Sequence, residues 1–381
     1  MNPARILVVD DEPGMLRAVE RILSGPHHVV TSRSSREAIA VAGRFDPELA
    51  ILDVRMPELD GFELMARLHA QKADLDVILM TGSVDDLDDK LVRAMRGEAF
   101  YFIQKPFDRE VLRTLVDRCL ELRWRREERR RYLRRLETEL AEARAFQQSL
   151  LPAREAVVGP LALWCRYSPC SELGGDLYDY ACGASGQAAL LVADVSGHGT
   201  SAAMLTATVK SAFRSTHADG YDPVIVVQCV ADSLAAFGFD RFVTLFAAVV
   251  ARDARELQYV NAGHPPGLLW STRRAPMALG STGPLISPAL PPCTWDVASV
   301  TLAEGDHLLL YTDGVSDALA DMGASGEDHV RLVVEQHPEG GPALVDALVE
   351  LVQRHLHTDR GPDDLTLVAA DVIPRSPSPP A

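Results

Sequence analysis

Five short apolar runs, Ile6 to Val9, Val29-Val30, Leu49 to Leu52, Val77 to Met80 and Tyr101 to Ile103, alternate with helix-length amphipathic stretches such as Gly14 to Leu23 and Asp60 to His69. Parallel strands need long crossovers, which helices supply, so the alternation restricts residues 1–120 to a doubly wound α/β domain with five parallel strands. Ligands of such sheets sit at the carboxyl ends of the strands. Asp10 and Asp11 follow the first run, Asp53 ends the third, Thr81 follows the fourth and Lys105 the fifth. Carboxylates brought this close repel one another unless a cation lies among them, which predicts Mg²⁺, and the lysine would neutralise part of an incoming phosphoryl group.

This pattern resembles the two-component response regulator receiver domain over its full length. The resemblance implies that Asp53 is the phosphoacceptor, that Asp10, Asp11 and Asp53 hold Mg²⁺, and that Thr81, Phe102 and Lys105 form the switch and phosphate contact. It also implies a cognate histidine kinase as partner. The stretch from Asp53 to Gly61 follows the family's usual loop, whereas Arg96-Gly97-Glu98-Ala99 departs from it, since Gly usually stands directly before the Ala.

A second set of acids occupies the other half. Gly174-Gly175-Asp176, Leu190 to Gly199 with Asp194, Tyr311-Thr312-Asp313-Gly314 and Asp363-Asp364-Leu365-Thr366 place acids beside apolar β-type runs or Gly-rich turns. Acids at the ends of central strands converge on one sheet edge, where hard oxygen ligands suit Mg²⁺ or Mn²⁺ rather than zinc. Two such ions can bridge a water, lower its pKa and aim it at phosphorus.

In this order the motifs resemble the PP2C-like serine phosphatases of the SpoIIE and RsbU type across residues 152–373. That resemblance implies an α+β fold, a β-sandwich flanked by helices, with two Mn²⁺ or Mg²⁺ ions at one end. Asp194 would bridge both, assisted by the Val195 carbonyl, with Asp176 on one side and Asp313 and Asp363 on the other. Asp364 is the neighbour that competes with Asp363 for this assignment. His198, Asn261 and His264 take supporting roles, and Asp179 and Asp317 lie behind the metal acids or in solvent. Within this half the spacing predicts a helix over Gly199 to Phe213 with Met204 in the core and a hairpin from Phe242 to Val260. It further predicts a surface excursion over 271–293 and a helix from Pro338 to His355.

Between the halves, residues 108–151 contain no Gly or Pro and read as one helix with Asp108 as its N-cap. Leu133, Leu136, Leu140, Ala143, Gln147 and Leu150 keep a three-four spacing, a short coiled-coil seam that favours a parallel homodimer through 121–151 over a single helix lying on one domain. Eight arginines lie between Arg123 and Arg135. They read as a solvated face pairing with nearby acids rather than as a nucleic-acid or membrane contact. The run Phe146 to Pro152 resembles the helix that leads into phosphatase domains of this type, the natural place for the receiver's state to reach the metal site.

Residues 152–381 carry 13 Lys and Arg against 27 Asp and Glu, a net −14, which argues against nucleic acid as substrate. Residues 121–151 carry 9 against 6, a net +3. The six cysteines show neither Cys-x-x-Cys nor zinc spacing and read as reduced thiols, and no apolar run is long enough for a bilayer, so the expected location is cytoplasmic without membrane association. Residues 374–381, rich in Pro and Ser, read as a disordered tail.

The expected protein is a response regulator with a metal-dependent protein serine/threonine phosphatase output. Its expected substrate is a phosphoserine or phosphothreonine on a STAS-type anti-sigma-factor antagonist in a partner-switching pathway. The rival is a non-catalytic phosphatase-like module that sequesters a regulatory partner under receiver control.

Overall fold

The computed structural model describes residues 3–82, 100–197, 199–237, 241–320, 325–356, 361 and 363–373. His198, the departure at Arg96 to Ala99 and the tail from 374 therefore lie outside the described residues. The chain divides into two compact units, Met1–Leu136 and Glu137–Ala381. No helix among the described residues is long and apolar enough to cross a membrane.

In the first unit β1 (Arg5–Val9), β2 (His28–Ser32), β3 (Leu49–Asp53), β4 (Asp76–Thr81) and β5 (Phe100–Gln104) form one parallel sheet in the order β2-β1-β3-β4-β5. Both faces are buried, which is why the strands read as continuous apolar runs rather than as alternation. Ile6 and Val8 pack with Leu16, Val19 and Leu112, and Leu7 and Val9 pack with Ala38, Leu64 and Leu68. Helices α1 (Pro13–Leu23), α2 (Ser35–Phe45) and α3 (Gly61–Gln71) supply the covering side chains. The turn from the end of β3 into α3 ends in a capping box in which Asp60 accepts from the Glu63 amide at 2.8 Å.

Helix α4 (Arg109–Leu150) runs unbroken from the first unit into the second. Asp108 Oδ1 accepts from the Glu110 amide at 2.7 Å, as a residue opening a helix does. Leu112, Val116, Cys119 and Leu120 are buried in the core of the first unit, whereas Tyr132, Leu133 and Leu140 are exposed. The arginine stretch departs from a uniformly solvated face. Arg123 is buried, donates to the Asp74 carbonyl and pairs with Asp76 at 3.3 Å, while Arg126 reaches the other oxygen of Asp76 at 2.7 Å.

The second unit has two antiparallel sheets. One holds β8 (Asp176–Cys182), β9 (Ala188–Val195), β10 (Val243–Val250), β11 (Glu256–Ala262) and β14 (Ala298–Thr301), in the order β14-β11-β10-β9-β8. The other holds β6 (Glu155–Val158), β7 (Leu161–Ser168), β12 (Gly267–Ser271), β13 (Arg274–Leu279), β15 (His307–Tyr311) and β16 (Leu365–Val372), in the order β13-β12-β15-β16-β7-β6. Leu190, Val192 and Phe246 from the first sheet meet Leu163, Leu310 and Val368 from the second in the sandwich interior. The alternate residues Leu191, Ala193 and Val195 face α5 (Thr200–Ser215) and α6 (Pro223–Leu234). On the opposite side Leu309, Leu367 and Ala369 face α7 (Asp313–Leu319), α8 (Gly326–Gln336) and α9 (Gly341–His355). With both faces of each sheet covered, the central strands are apolar throughout and the acids are confined to their ends.

Two further expectations change. Met204 lies on the outer side of α5 and is 67% exposed, because Ala202, Leu205, Val209 and Ala212 already fill the face toward the sheet. The stretch 271–293 is only partly an excursion, since β13 adds Arg274–Leu279 to the edge of its sheet.

Candidate metal centres

At the carboxyl ends of the parallel strands, Asp10 and Asp53 are both buried, and Lys105 Nζ lies 2.6 Å from Asp10 Oδ2 and 3.0 Å from Asp53 Oδ1. The second Asp10 oxygen accepts from the Glu12 amide at 2.8 Å. Carboxylate oxygens of Asp10, Asp11 and Asp53 come within 4.8 Å of one another. Burial raises the Asp53 pKa, with Asp10 and Asp11 adding to the rise and Lys105 opposing it. Burial works against the Lys105 charge, but its bonds to Asp10 and Asp53 outweigh this and hold its pKa up. An acid destabilised by its acidic neighbours and steadied by one ammonium is suited to a divalent cation and to receiving a phosphoryl group. Thr81 is buried at the end of β4, its carbonyl accepting from the Lys105 amide at 2.7 Å, and Phe102 packs partly buried in the second receiver cluster.

In the sandwich, antiparallel pairing places Asp176 directly opposite Asp194. Asp176 is 3% exposed, and the hydroxyls of Thr312 and Thr366 both donate to its Oδ2, at 2.7 and 2.6 Å. Thr366 also donates its amide to Thr312 Oγ1 at 3.0 Å. Since Thr312 immediately precedes Asp313 and Thr366 follows Asp363 and Asp364, this one carboxylate ties together three of the acidic segments. Burial, then Asp194 and Asp364, raise the Asp176 pKa. Burial followed by Asp313, Asp363 and Asp364 pushes Asp194 up to about 7, and Asp313 is raised by burial, Asp363 and Asp317. The expected ligands therefore sense one another as like charges at one end of the sandwich. Such an all-oxygen acidic set fits hard divalent cations.

Asp363 and Asp364 divide their work. Asp364 is buried, one oxygen accepting from the Cys170 amide at 2.7 Å and the other from the amides of Gly175 and Asp176. Its lone pairs are spent on the loop. Asp363 is exposed, accepts from the Asp364 amide through Oδ1 at 2.8 Å, and lies close enough to Asp364 and Cys170 for their ligand atoms to come within 4.8 Å of one another. The Val195 carbonyl lies against the Cα of Gly175, where a side chain would collide with it, so close approach of the two loops requires glycine there.

Asn261 and His264 build a turn. Asn261 Oδ1 accepts from the His264 amide at 2.8 Å, its amide nitrogen donates to the carbonyls of Pro265 and Leu279, and burial pushes the His264 pKa down to about 4. Asp317 is exposed, as expected. Asp179 is buried and paired with Lys210 at 2.7 Å and Arg214 at 2.5 Å, which fastens α5 to β8.

A model of the response regulator receiver domain matches residues 6–117, and one of Stage II sporulation protein E matches residues 184–373. The chain joins a response regulator receiver domain to a SpoIIE-family, PP2C-like domain. Phosphoserine phosphatase RsbP of Bacillus subtilis is 28% identical over 240 residues, covering 61% of this chain and 58% of that protein. The C4-dicarboxylate transport regulator DctD of Pseudomonas aeruginosa is 38% identical over 120 residues, 31% of this chain and 26% of that protein. The chain thus spans about a quarter of DctD and less than two thirds of RsbP. The SiaA-PP2C domain of Pseudomonas aeruginosa superposes with a TM-score of 0.55 at 21% identity, covering 63% of this chain and 98% of that one, a likeness of fold.

Gln147 is the residue whose role the sequence hid. Counted in the coiled-coil seam by its spacing, it is instead buried, donating to the Gly174 carbonyl at 2.6 Å and accepting from the Gly174 amide at 3.1 Å. The last turn of α4 thereby holds the loop that leads into Asp176. A single polar residue in an otherwise apolar seam was the only signal in the sequence, and its partner lies 27 residues away.

Proposed function

We propose that this protein is a response regulator whose output is metal-dependent hydrolysis of phosphoserine or phosphothreonine on a protein. The observation that carries the reading is that the acids act on one another at one end of the sandwich: Asp194 raises the pKa of Asp176, Asp313 and Asp363 raise that of Asp194, and Asp363 raises that of Asp313. Two Mn²⁺ or Mg²⁺ ions bound there would supply positive charge to the phosphoryl oxygens and acidify an attacking water. The chain's own part is to hold the carboxylates. Thr312 and Thr366 fix the rotamer of Asp176, Asp364 fixes the loop around it, and the β8–β9 register fixes Asp194 opposite it.

In the receiver, Asp53 accepts a phosphoryl group from a histidine kinase, with Lys105 as the phosphate contact, Thr81 and Phe102 as the switch, and Asp10 and Asp11 completing a Mg²⁺ site. The exposed Leu133 and Leu140 on α4 support pairing of two chains through residues 121–151, and the Gln147 contact supports α4 as the route by which receiver state reaches the catalytic loop. The proposed substrate is a phosphorylated STAS-type anti-sigma-factor antagonist, a reading that rests on the family resemblance, with the likeness to RsbP, a phosphoserine phosphatase, supporting phosphoserine as the group removed.

The test is to present the full-length protein and Mn²⁺ with such an antagonist labelled on its phosphoserine. Release of the label supports the reading. A stable complex with the label retained points instead to the sequestering module.

A further inference from the structure

Arg241 lies just before β10, whose register pairs Val243 with Val195 and Thr244 with Asp194. Its guanidinium therefore meets the loop that leaves Asp194. Nη1 donates to the Ser196 carbonyl at 2.8 Å and Nη2 to the Ser201 hydroxyl at 2.8 Å. A Cβ added to Gly197 would stand 2.6 Å from Nη1, so the glycine makes room for the cation. The carbonyl of Gly197 in turn lies close to the Cα of Gly175, next to Asp176.

The side-chain partners of Arg241 are neutral, as distinct from those of several other cations of this unit. Lys210 and Arg214 are committed to Asp179, Arg144 pairs with Glu172 and Arg166 with Asp346. Arg241 makes no ion pair among the described residues, although acids outnumber cations 27 to 13 in residues 152–381. A guanidinium has five N–H donors, and two serve neutral acceptors, which leaves donors and a positive charge without an acidic partner among the described residues. Planar, bidentate recognition of phosphate is what such a group does best.

We infer that Arg241 is a phosphoryl-recognition residue at the rim of the metal centre. It binds the non-bridging oxygens of a phosphomonoester whose phosphorus is held over Asp194 and Asp176. This rests on the phosphatase reading for its purpose, but the binding itself can be measured without turnover. The unit is strongly acidic, and a phosphate dianion approaching its rim is repelled until the metal acids are neutralised; a guanidinium on the loop, with no acidic partner among the described residues, counters that repulsion where the phosphate enters.

The experiment titrates inorganic phosphate into full-length protein saturated with Mg²⁺, by calorimetry, for wild type, Arg241→Gln and Arg241→Lys. Mg²⁺ affinity is measured separately for each. The expected result is phosphate binding weakened about 10- to 100-fold in Arg241→Gln, with an intermediate loss in Arg241→Lys and Mg²⁺ affinity unchanged in both. Equal phosphate affinity in wild type and Arg241→Gln overturns the inference, as does absence of phosphate binding to the wild type. Loss of Mg²⁺ affinity together with phosphate affinity also overturns it, because Arg241 would then only brace the loop. Arg241-dependent phosphate binding by a protein that hydrolyses no phosphoprotein upholds the inference and refutes the phosphatase reading.

Discussion

The Thr366 hydroxyl donates to Oδ2 of Asp176 at 2.6 Å, joining residues 190 positions apart. β16 and β8 belong to different sheets, so this bond, with that of Thr312 at 2.7 Å, pins the two halves of the sandwich together at the acidic end. Oδ1 of Asp176 accepts no hydrogen bond among the described residues and is the oxygen that the proposed metal site would use. Thr366→Val should therefore weaken Mn²⁺ binding about tenfold, the worth of one hydrogen bond to a charged group, while Thr366→Ser stays near wild type. Titration followed by the electron paramagnetic resonance of free Mn²⁺ measures both. Equal affinity for the Val and Ser variants would contradict the positioning role.

Asp194 sets a pH dependence. Burial and the neighbouring acids raise its folded pKa to about 7, above the value near 3.9 of an unfolded Asp, so the folded state holds this proton more tightly. Stability from this group is fully present below about pH 4 and is lost as pH rises toward about 7. The metal-free protein should accordingly melt at lower temperature as pH rises through that window. Asp194→Asn should flatten the trend, and Mn²⁺ should offset it by replacing the proton. Thermal melts across pH, with and without Mn²⁺, read all three. A metal-free melting temperature that rises in wild type and falls in Asp194→Asn would show the opposite sign.

Gln147 occupies both backbone groups of Gly174, and Gln147→Leu would leave two buried polar groups without that partner. At about 1–3 kcal/mol for each unsatisfied group, a loss of about 2 kcal/mol is expected after partial relaxation. Urea unfolding measures it, and turnover should fall in parallel because the affected loop leads into Asp176. An unchanged unfolding midpoint would show that the contact adds nothing to the fold.

The side chain of Asp179 is fully buried between Lys210 and Arg214, but Arg214 is 43% exposed. Asp179→Ala should destabilise by about 2 kcal/mol, below the 3–5 kcal/mol of a fully buried pair, because solvent relieves the orphaned guanidinium. The same variant should leave receiver phosphorylation at Asp53 intact, which acetyl phosphate labelling checks. A loss above about 4 kcal/mol would mean that the exposed guanidinium gives no such relief.

The sheets and the acids were legible because each is written locally. A strand buried on both faces leaves a continuous apolar run, and the residue at its tip is fixed by counting, as with Asp53 after Leu49 to Leu52 or Asp194 after Leu190 to Ala193. The partners of those acids were not legible. Nothing near Asp364 in sequence indicates that it clasps Cys170, Gly175 and Asp176, because the clasp depends on β16 lying beside β7. Gln147 was misplaced for a related reason: a three-four spacing marks one helix face without saying whether that face meets a second helix or the chain's own loop. Met204 shows the converse, an apolar residue in an amphipathic helix whose buried face is already complete.

The central claim is that the acidic end of the sandwich is a catalytic metal centre under receiver control. The most direct measurement is Mn²⁺-dependent phosphate release from a phosphoserine protein by wild type and Asp194→Ala, each with and without a phosphoryl donor for Asp53. The account predicts release by wild type that depends on Mn²⁺ and changes with the donor, and a loss of at least about a thousandfold in Asp194→Ala, the scale of removing a group central to the chemistry. Equal release by Asp194→Ala, or no release by wild type under any metal and donor condition while it still binds the phosphoprotein, would contradict it.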